Sequence, residues 1–176
     1  GLPQVNTNYV VQYNPIVGNQ SISYREAISY YGILNYNAQT TQVFNNVNPA
    51  VISGLVVGTI GANASSNIVL SGTSNGIVFT GSNQLFEIEF VGNIIVNAGV
   101  TQVITVTIFI DSTEIDSSAR NQITASSTSG NMNIATRPII TTLGSGAQVR
   151  VGFARTGTDT SLTFSGSIKI RNIVLS

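Results

Sequence analysis

Two runs of alternating side chains mark the carboxyl-terminal stretch Thr142–Ser176, TLGSGAQVRVGFARTGTDTSLTFSGSIKIRNIVLS. Apolar residues occupy every second position of both runs: Val149, Val151 and Phe153 in the first, Ile168 and Ile170 in the second. Successive side chains of a β-strand point to opposite faces, so this period of two predicts two strands with one buried face each. The intervening Arg150, Lys169 and Arg171 are predicted to face outward.

The same alternation recurs upstream. In QLFEIEFVG, Phe86, Ile88 and Phe90 alternate with two glutamates. In VITVTIFID, β-branched residues dominate, which suits a pleated surface. The polar DSTE that follows predicts a tight turn, so Val103–Ser118 is predicted to be a hairpin. Short strands separated by Gly, Ser and Asn turns predict an all-β fold, an antiparallel β-sandwich of the jelly-roll type.

The amino-terminal part of the chain has a different composition. All six Tyr lie at or before Tyr36, and all seven Phe lie from Phe44 onward. We therefore predict a Tyr- and Asn-rich segment, 1–45, that serves as an arm or shaft junction, and a head domain, 46–176. Within the first segment, SYREAISYYGI (Ser23–Ile33) is the only stretch that fits a short helix.

The overall composition excludes several classes of function. Charged residues make up 8% of the chain, against about 25% in an average domain, and the net charge is zero. We therefore expect no nucleic-acid partner. No run of about 18 apolar residues is present, so we expect no membrane insertion. So few charges make a lone monomer poorly soluble, which favours an oligomer.

Reactive side chains are scarce. The chain has no His and no Cys, and so lacks the usual general base, a thiolate nucleophile and the commonest zinc ligands. Asp111, Glu114 and Asp116 lie close together, but they do not follow a calcium-loop pattern and a turn accounts for them. We predict no enzymatic activity, no cofactor and no metal. The chain begins with Gly1 instead of Met, so we also expect a processed product or a fragment.

Two glutamates form the clearest charged feature. Glu87 and Glu89 share one strand face, so they cannot bracket a glycosidic bond as a pair of catalytic carboxylates does. We predict instead an acidic stripe opposite the basic stripe of Lys169 and Arg171, within one chain or between subunits. The alternative is a face that only contacts solvent. Arg150 is a further candidate neighbour of these charges across strands or subunits.

Aromatic residues supply the candidate contact surface. The predicted contact tyrosines are Tyr24, Tyr30, Tyr31 and Tyr36. Tyr is enriched at interfaces because its ring packs while its hydroxyl forms hydrogen bonds. The alternative is ordinary packing of the amino-terminal segment on the sandwich. Phe109 and Thr107 lie on the opposite strand face from Ile108, and we predict that they meet a neighbouring subunit.

From about residue 70 to residue 176, the chain resembles a TNF-like jelly roll, the complement globular-head type included. The pattern comprises a leucine and a Gly turn, a V-x-V strand, a polar loop and a final S-x-I-x-I strand. Its positions here are Leu143, Gly144, Gly146, Val149, Val151, Ser167, Ile168 and Ile170. The stretches GIVFTGSNQLFEIEFVGNI and VTIFIDSTEIDSS resemble the family's aromatic-x-I-x-F strand and central hairpin. The family's usual Gly-x-Tyr is absent before Phe86, and residues 1–45 have no counterpart.

The resemblance implies a trimer whose subunits pack through apolar strand faces. Relatives cap stalks on viral and phage spikes, on spore coats and in secreted ligands. We therefore expect a virion surface structural protein, the trimeric head of a spike or fibre that mediates host attachment. Its expected partners are copies of itself and a host-cell receptor, either protein or glycan, at the virion surface or outside the cell.

Two alternatives stay open at this point. The first is a shell-forming capsid or penton jelly roll, which the scarcity of basic residues before Arg120 makes a poorer match for a genome-binding arm. The second is a non-catalytic carbohydrate-binding sandwich on a bacterial or spore surface, for which the tyrosines would supply the contacts.

Overall fold

The computed structural model describes residues 9–16, 19–26, 29–36, 42–44, 48–51, 58–71, 76–97, 102–116, 118, 120–125, 130–156 and 160–174. Within these ranges the chain forms strands and turns and contains no α-helix. The strands are β1 (Tyr9–Ile16), β2 (Asn19–Glu26), β3 (Tyr31–Tyr36), β4 (Gln42–Phe44), β5 (Ala50–Val51), β6 (Gly58–Ile60), β7 (Ile68–Leu70), β8 (Ile77–Phe79), β9 (Gln84–Asn97), β10 (Gln102–Ile110), β11 (Thr113–Glu114), β12 (Asn121–Ala125), β13 (Gly130–Ala135), β14 (Ile139–Leu143), β15 (Gln148–Thr156) and β16 (Thr160–Asn172).

Two antiparallel sheets form a sandwich. The β10–β15 sheet has the order β11-β10-β15-β8-β7, with β12 also paired to β10 and β5 to β15. The β9–β16 sheet has the order β13-β9-β16-β3-β6, with β14 also paired to β9 and β4 to β16. The chain crosses between the sheets from β8 to β9, from β9 to β10 and from β15 to β16. The predicted all-β antiparallel sandwich of the jelly-roll type is confirmed.

The core lies between the two sheets and contains the side chains that alternation placed there. Val149, Val151, Phe153, Ile168 and Ile170 are all at most 2% exposed, as predicted from the carboxyl-terminal stretch. Aromatic rings fill the centre with edge-to-face contacts, a geometry that the ring quadrupole favours. The centroids of Phe90 and Phe153 lie 5.9 Å apart, and those of Phe79 and Phe86 lie 4.8 Å apart.

The hairpin predicted at Val103–Ser118 is present. Phe109 pairs with Glu114 and Ile110 pairs with Thr113, which leaves Asp111 and Ser112 as the turn. Asp111 has a left-handed φ of 55°, a conformation that Asp tolerates better than most residues. Its backbone N–H donates to the Gln148 carbonyl at 2.8 Å, which ties the turn to the start of β15.

The helix predicted at Ser23–Ile33 is wrong. Its first residues belong to β2, which pairs with β1 in a two-stranded sheet of their own. Its last residues belong to β3, which pairs with β16. A short amphipathic pattern with mediocre helix formers gives way to strand pairing, because the nearby β1 and the distant β16 satisfy its backbone groups.

The sandwich begins before the boundary predicted between residues 45 and 46. β3 pairs with β16 from Tyr31↔Arg171 to Tyr36↔Gly166, and β4 also pairs with β16. Leu34 on β3 is fully buried in the core. The predicted boundary therefore falls inside the β9–β16 sheet.

A pair of glycines makes room for one core ring. Gly92 on β9 and Gly166 on β16 are directly opposite each other. A Cβ on Gly92 would lie 2.3 Å from the Ser165 carbonyl oxygen and 2.7 Å from Cζ of Phe90. The Phe90 ring occupies the space that two ordinary side chains would fill, so these positions are closed to larger residues.

We expect Gly92→Ala to lower the free energy of unfolding by about 1–3 kcal/mol, the usual cost of overpacking. Gly61→Ala is the matched control, because its new Cβ would lie 3.7 Å from the nearest atom, at ordinary contact distance. Urea denaturation measures both variants. An effect of Gly92→Ala no larger than that of Gly61→Ala would contradict the packing described here.

Candidate functional site

The outer face of the β9–β16 sheet carries the acidic and basic stripes that the sequence predicted. We define it by the outward side chains of four strands: Glu87, Glu89, Val91 and Asn93 on β9, Ser165, Ser167, Lys169 and Arg171 on β16, Tyr31, Ile33 and Asn35 on β3, and Ile140 on β14. None of these residues is buried. This outer face is therefore available for contact with another molecule.

Two ion pairs occupy its centre. Arg171 is directly opposite Glu87 on the neighbouring strand, and Lys169 is directly opposite Glu89. A terminal nitrogen of Arg171 lies 2.8 Å from Oε1 of Glu87, and its Nε donates to the same oxygen at 3.1 Å. Nζ of Lys169 lies 3.5 Å from Oε1 of Glu89. The acidic and basic stripes thus face each other within one chain, one of the arrangements expected from the sequence.

Exposed apolar side chains flank the ion pairs. In register, Arg171 has Tyr31 beside it on β3, and Glu87 has Ile140 beside it on β14. Tyr31 is 41% exposed and Ile140 is 60% exposed. A cavity of about 350 Å³ is lined by Tyr31, the two glutamates and their partners. Each glutamate faces a cation, and neither faces another carboxylate across a cleft. The combination of ion pairs and exposed apolar side chains suits a contact surface.

A second cavity lies towards the other end of the outer face. It has a volume of about 470 Å³ and is lined in part by Asn93, Asn121, Asn133 and Ser165. No local sequence pattern predicted it, because these residues come from β9, β12, β13 and β16, which come together only in the folded chain. Asparagines are common throughout the sequence, so no local pattern marked these four positions.

Two of the predicted contact tyrosines are core residues. Tyr30 is 8% exposed, and its ring lies 5.2 Å from that of Phe79 in an edge-to-face arrangement. Tyr36 is 3% exposed, and burial raises the pKa of its hydroxyl well above the usual value, although the charge of Arg150 opposes the rise. For both residues the structure supports the alternative, ordinary packing. Tyr31 is on the outer face, and the side chain of Tyr24 lies outside the described residues.

The remaining predicted contact residues lie on the other sheet. Phe109 is 7% exposed and lies directly over Gly152, where a Cβ would come within 2.3 Å of its ring. It is covered within one chain, so its predicted contact with a neighbouring subunit is not supported. Thr107 is fully buried, and its hydroxyl donates to Glu114 at 2.8 Å. Arg150 is half-buried opposite Phe109, so it does not join Lys169 and Arg171.

The acidic residues near the hairpin turn are occupied by protein groups. Both nitrogens of the Arg120 fork donate to Glu114 at 2.5 Å, and these hydrogen bonds hold the pKa of that carboxyl below its usual value. Asp111 accepts from the Gln148 backbone N–H, and Asp116 accepts from Ser118. Among the described residues, no group of three or more potential ligands could hold a metal ion.

Of three comparisons with known proteins, the one with solved structures found similar chains. No protein-family model matches the chain, and no curated protein sequence matches it. Among solved structures, the chain is similar to the Eiger TNF of S. frugiperda, with a TM-score of 0.49, 10% identity, and coverage of 84% of this chain and 94% of that one. It is also similar to the PRD1 vertex protein P5, with a TM-score of 0.40, 11% identity, and coverage of 97% and 86%. At these identities the likeness concerns the fold alone.

The fold is assigned from the strand order of this chain. Within the described part of the chain, no helix is long and apolar enough to cross a bilayer.

We expect the two ion pairs to differ in strength. A double-mutant cycle of Glu87→Gln with Arg171→Gln should give a coupling of about 0.2–1 kcal/mol, and the Glu89–Lys169 cycle a smaller one. The reason is geometric, since Arg171 makes two short contacts where Lys169 makes one at 3.5 Å. Both couplings should shrink in salt. A larger coupling for Glu89–Lys169 would show that the two pairs are ordered differently in solution.

Proposed function

We propose that this chain is a non-catalytic structural protein of a virion surface, the homotrimeric head of a spike or fibre that attaches to a host receptor. The observation that carries the proposal is the outer face of the β9–β16 sheet, where exposed apolar side chains flank two ion pairs. The resemblance of residues 70–176 to TNF-like heads supplies the trimeric state and the attachment role.

The apolar part of the outer face supports self-association. Tyr31 and Ile140 are 41% and 60% exposed, and they lie in one row across the sheet, on β3 and β14, with Arg171 and Glu87 between them. Packing against another copy would remove this surface from water, which stabilises the assembly by about 25 cal/mol for each Å² of apolar area.

The charged part of the outer face is compatible with such a contact. Each cation already faces a carboxylate of its own chain, so a second copy would not bury an unpaired charge. Charges fixed in position also help to set the orientation of a partner. The ion pairs would therefore contribute specificity, and the apolar flanks would contribute affinity.

The non-catalytic part of the proposal is supported by the chemistry of the chain. The sequence has no His and no Cys, and the paired glutamates are each neutralised by a cation. Neither glutamate is placed to act with a second carboxylate on a bound substrate.

Native mass spectrometry and light scattering test the assembly. We expect a particle of three times the 18.5 kDa chain mass at micromolar concentration. Ile140→Lys should weaken association at least tenfold, a loss of about 1.4 kcal/mol or more. The chain itself should stay folded, because the new Lys would lie opposite Glu87.

Val69→Lys is the matched control for that experiment. Val69 is also an exposed aliphatic residue, 39% exposed, but it lies on β7 at the edge of the other sheet. It should leave the trimer intact. A wild-type chain that stays monomeric would contradict the proposal, and assembly into large closed particles would favour the capsid or penton alternative.

A further inference from the structure

We propose that the cavity lined by Asn93, Asn121, Asn133 and Ser165 binds a neutral saccharide. We call it the amide cavity. The proposal deepens the attachment role, because it names the chemical class of receptor group that the head would recognise. The role of the saccharide in attachment rests on the proposed function, whereas the binding site itself is argued from the cavity alone.

A row of neutral polar side chains crosses three strands at this cavity. Asn133 on β13 is directly opposite Asn93 on β9, and Asn93 is directly opposite Ser165 on β16. None of these three side chains forms a hydrogen bond with another described residue. Each amide offers two donors and an acceptor, and the hydroxyl offers one donor. The row therefore presents several donors and acceptors that are free for a ligand.

The walls of the amide cavity differ in chemistry from this row. Val91, 45% exposed, and Ala135 provide apolar surface beside it. Gly92 and Gly166 contribute backbone to the lining, and the space of their missing side chains is occupied by the Phe90 ring on the core side of the sheet. Asn121 reaches the cavity from β12, which belongs to the other sheet. The cavity thus lies at the seam between the two sheets.

The chemistry of the lining selects among classes of ligand. No charged residue lines the amide cavity, so an anion or a cation would lose its hydration without gaining a partner. A wholly apolar ligand would in turn bury the donors and acceptors of the polar row without giving them hydrogen-bond partners. A sugar ring combines several hydroxyls, each a donor and an acceptor, with an apolar face of C–H groups. The volume of about 470 Å³ lies within the usual range of small-molecule sites.

The amide cavity and the ion pairs occupy different parts of the outer face. Along β9, Glu87 lies six positions before Asn93, which separates them by roughly 20 Å at the usual strand rise. A subunit contact centred on Ile140 and the ion pairs would therefore leave the amide cavity open. Assembly and saccharide binding can be measured separately on the same sample.

The test uses the intact chain and a set of defined sugars. Galactose, glucose, mannose, N-acetylglucosamine and N-acetylgalactosamine are titrated while the side-chain amide signals of Asn93 and Asn133 are followed by NMR, and sialic acid serves as the anionic comparison. We expect at least one neutral sugar to shift both amide signals saturably, and sialic acid to shift neither. Asn93→Ala and Asn133→Ala should each weaken that binding at least tenfold.

Asn83→Ala is the matched control, because Asn83 is an exposed asparagine beyond the opposite end of β9. It should bind the sugar as the wild type does. If Asn93→Ala fails to fold, Asn93→Asp keeps the side-chain shape while removing the amide donors, and it should lose binding equally. Native mass spectrometry of the same samples reports whether the trimer is present.

The outcomes separate the two proposals. A folded trimer that binds none of the neutral sugars overturns the saccharide site and leaves the proposed assembly standing. Binding that survives both Ala substitutions overturns it as well, because the sugar then lies elsewhere. A monomer that binds a neutral sugar through Asn93 and Asn133 supports the site and contradicts the trimer.

Discussion

The register between β9 and β16 is the constraint on which the rest of the structure depends. The two strands pair without interruption from Asn97↔Ser161 to Phe86↔Asn172. This register places Ile88 opposite Ile170 in the core and Glu89 opposite Lys169 outside it. A slip of one residue would bring both glutamates into the sandwich, where unpaired charges are strongly unfavourable. Hydrophobic burial on one face and ion pairing on the other therefore specify the same alignment.

Local alternation predicted this part of the molecule because both faces carry a strong signal. Inward and outward positions of β9, β15 and β16 follow from a period of two, and the hairpin after Ile110 follows from its turn residues. The errors at Tyr36 and Phe109 concern side chains whose neighbours in the fold, among them Gly166 and Gly152, are distant in sequence. Tyr36 follows Gly32 and Leu34 at the same period on β3, a signal that could have marked it as buried. The helix predicted at Ser23–Ile33 overlaps the start of β3, so this strand period was not recognised.

The two candidate sites also differ in how far the sequence predicts them. The charged stripes could be predicted because each lies on a single strand and only their pairing had to be inferred. The amide cavity could not, since its four polar residues come from four strands of two sheets. Phe109 was assigned to a subunit contact because it is a large apolar residue on an outward face. Gly152 on the adjacent strand provides a place for its ring within the chain.

The outer face combines these features into one surface with two parts. The apolar flanks and ion pairs suit contact between copies of the chain, and the amide cavity suits a small neutral ligand. Lys169 is the only lysine in the sequence, and its side chain is 45% exposed beside Glu89. Its rate of acylation, followed by mass spectrometry over a range of protein concentrations, reports directly on whether the outer face is covered. We predict that the rate falls as the chain assembles, while an unchanged rate across the assembly transition would contradict a contact through this face.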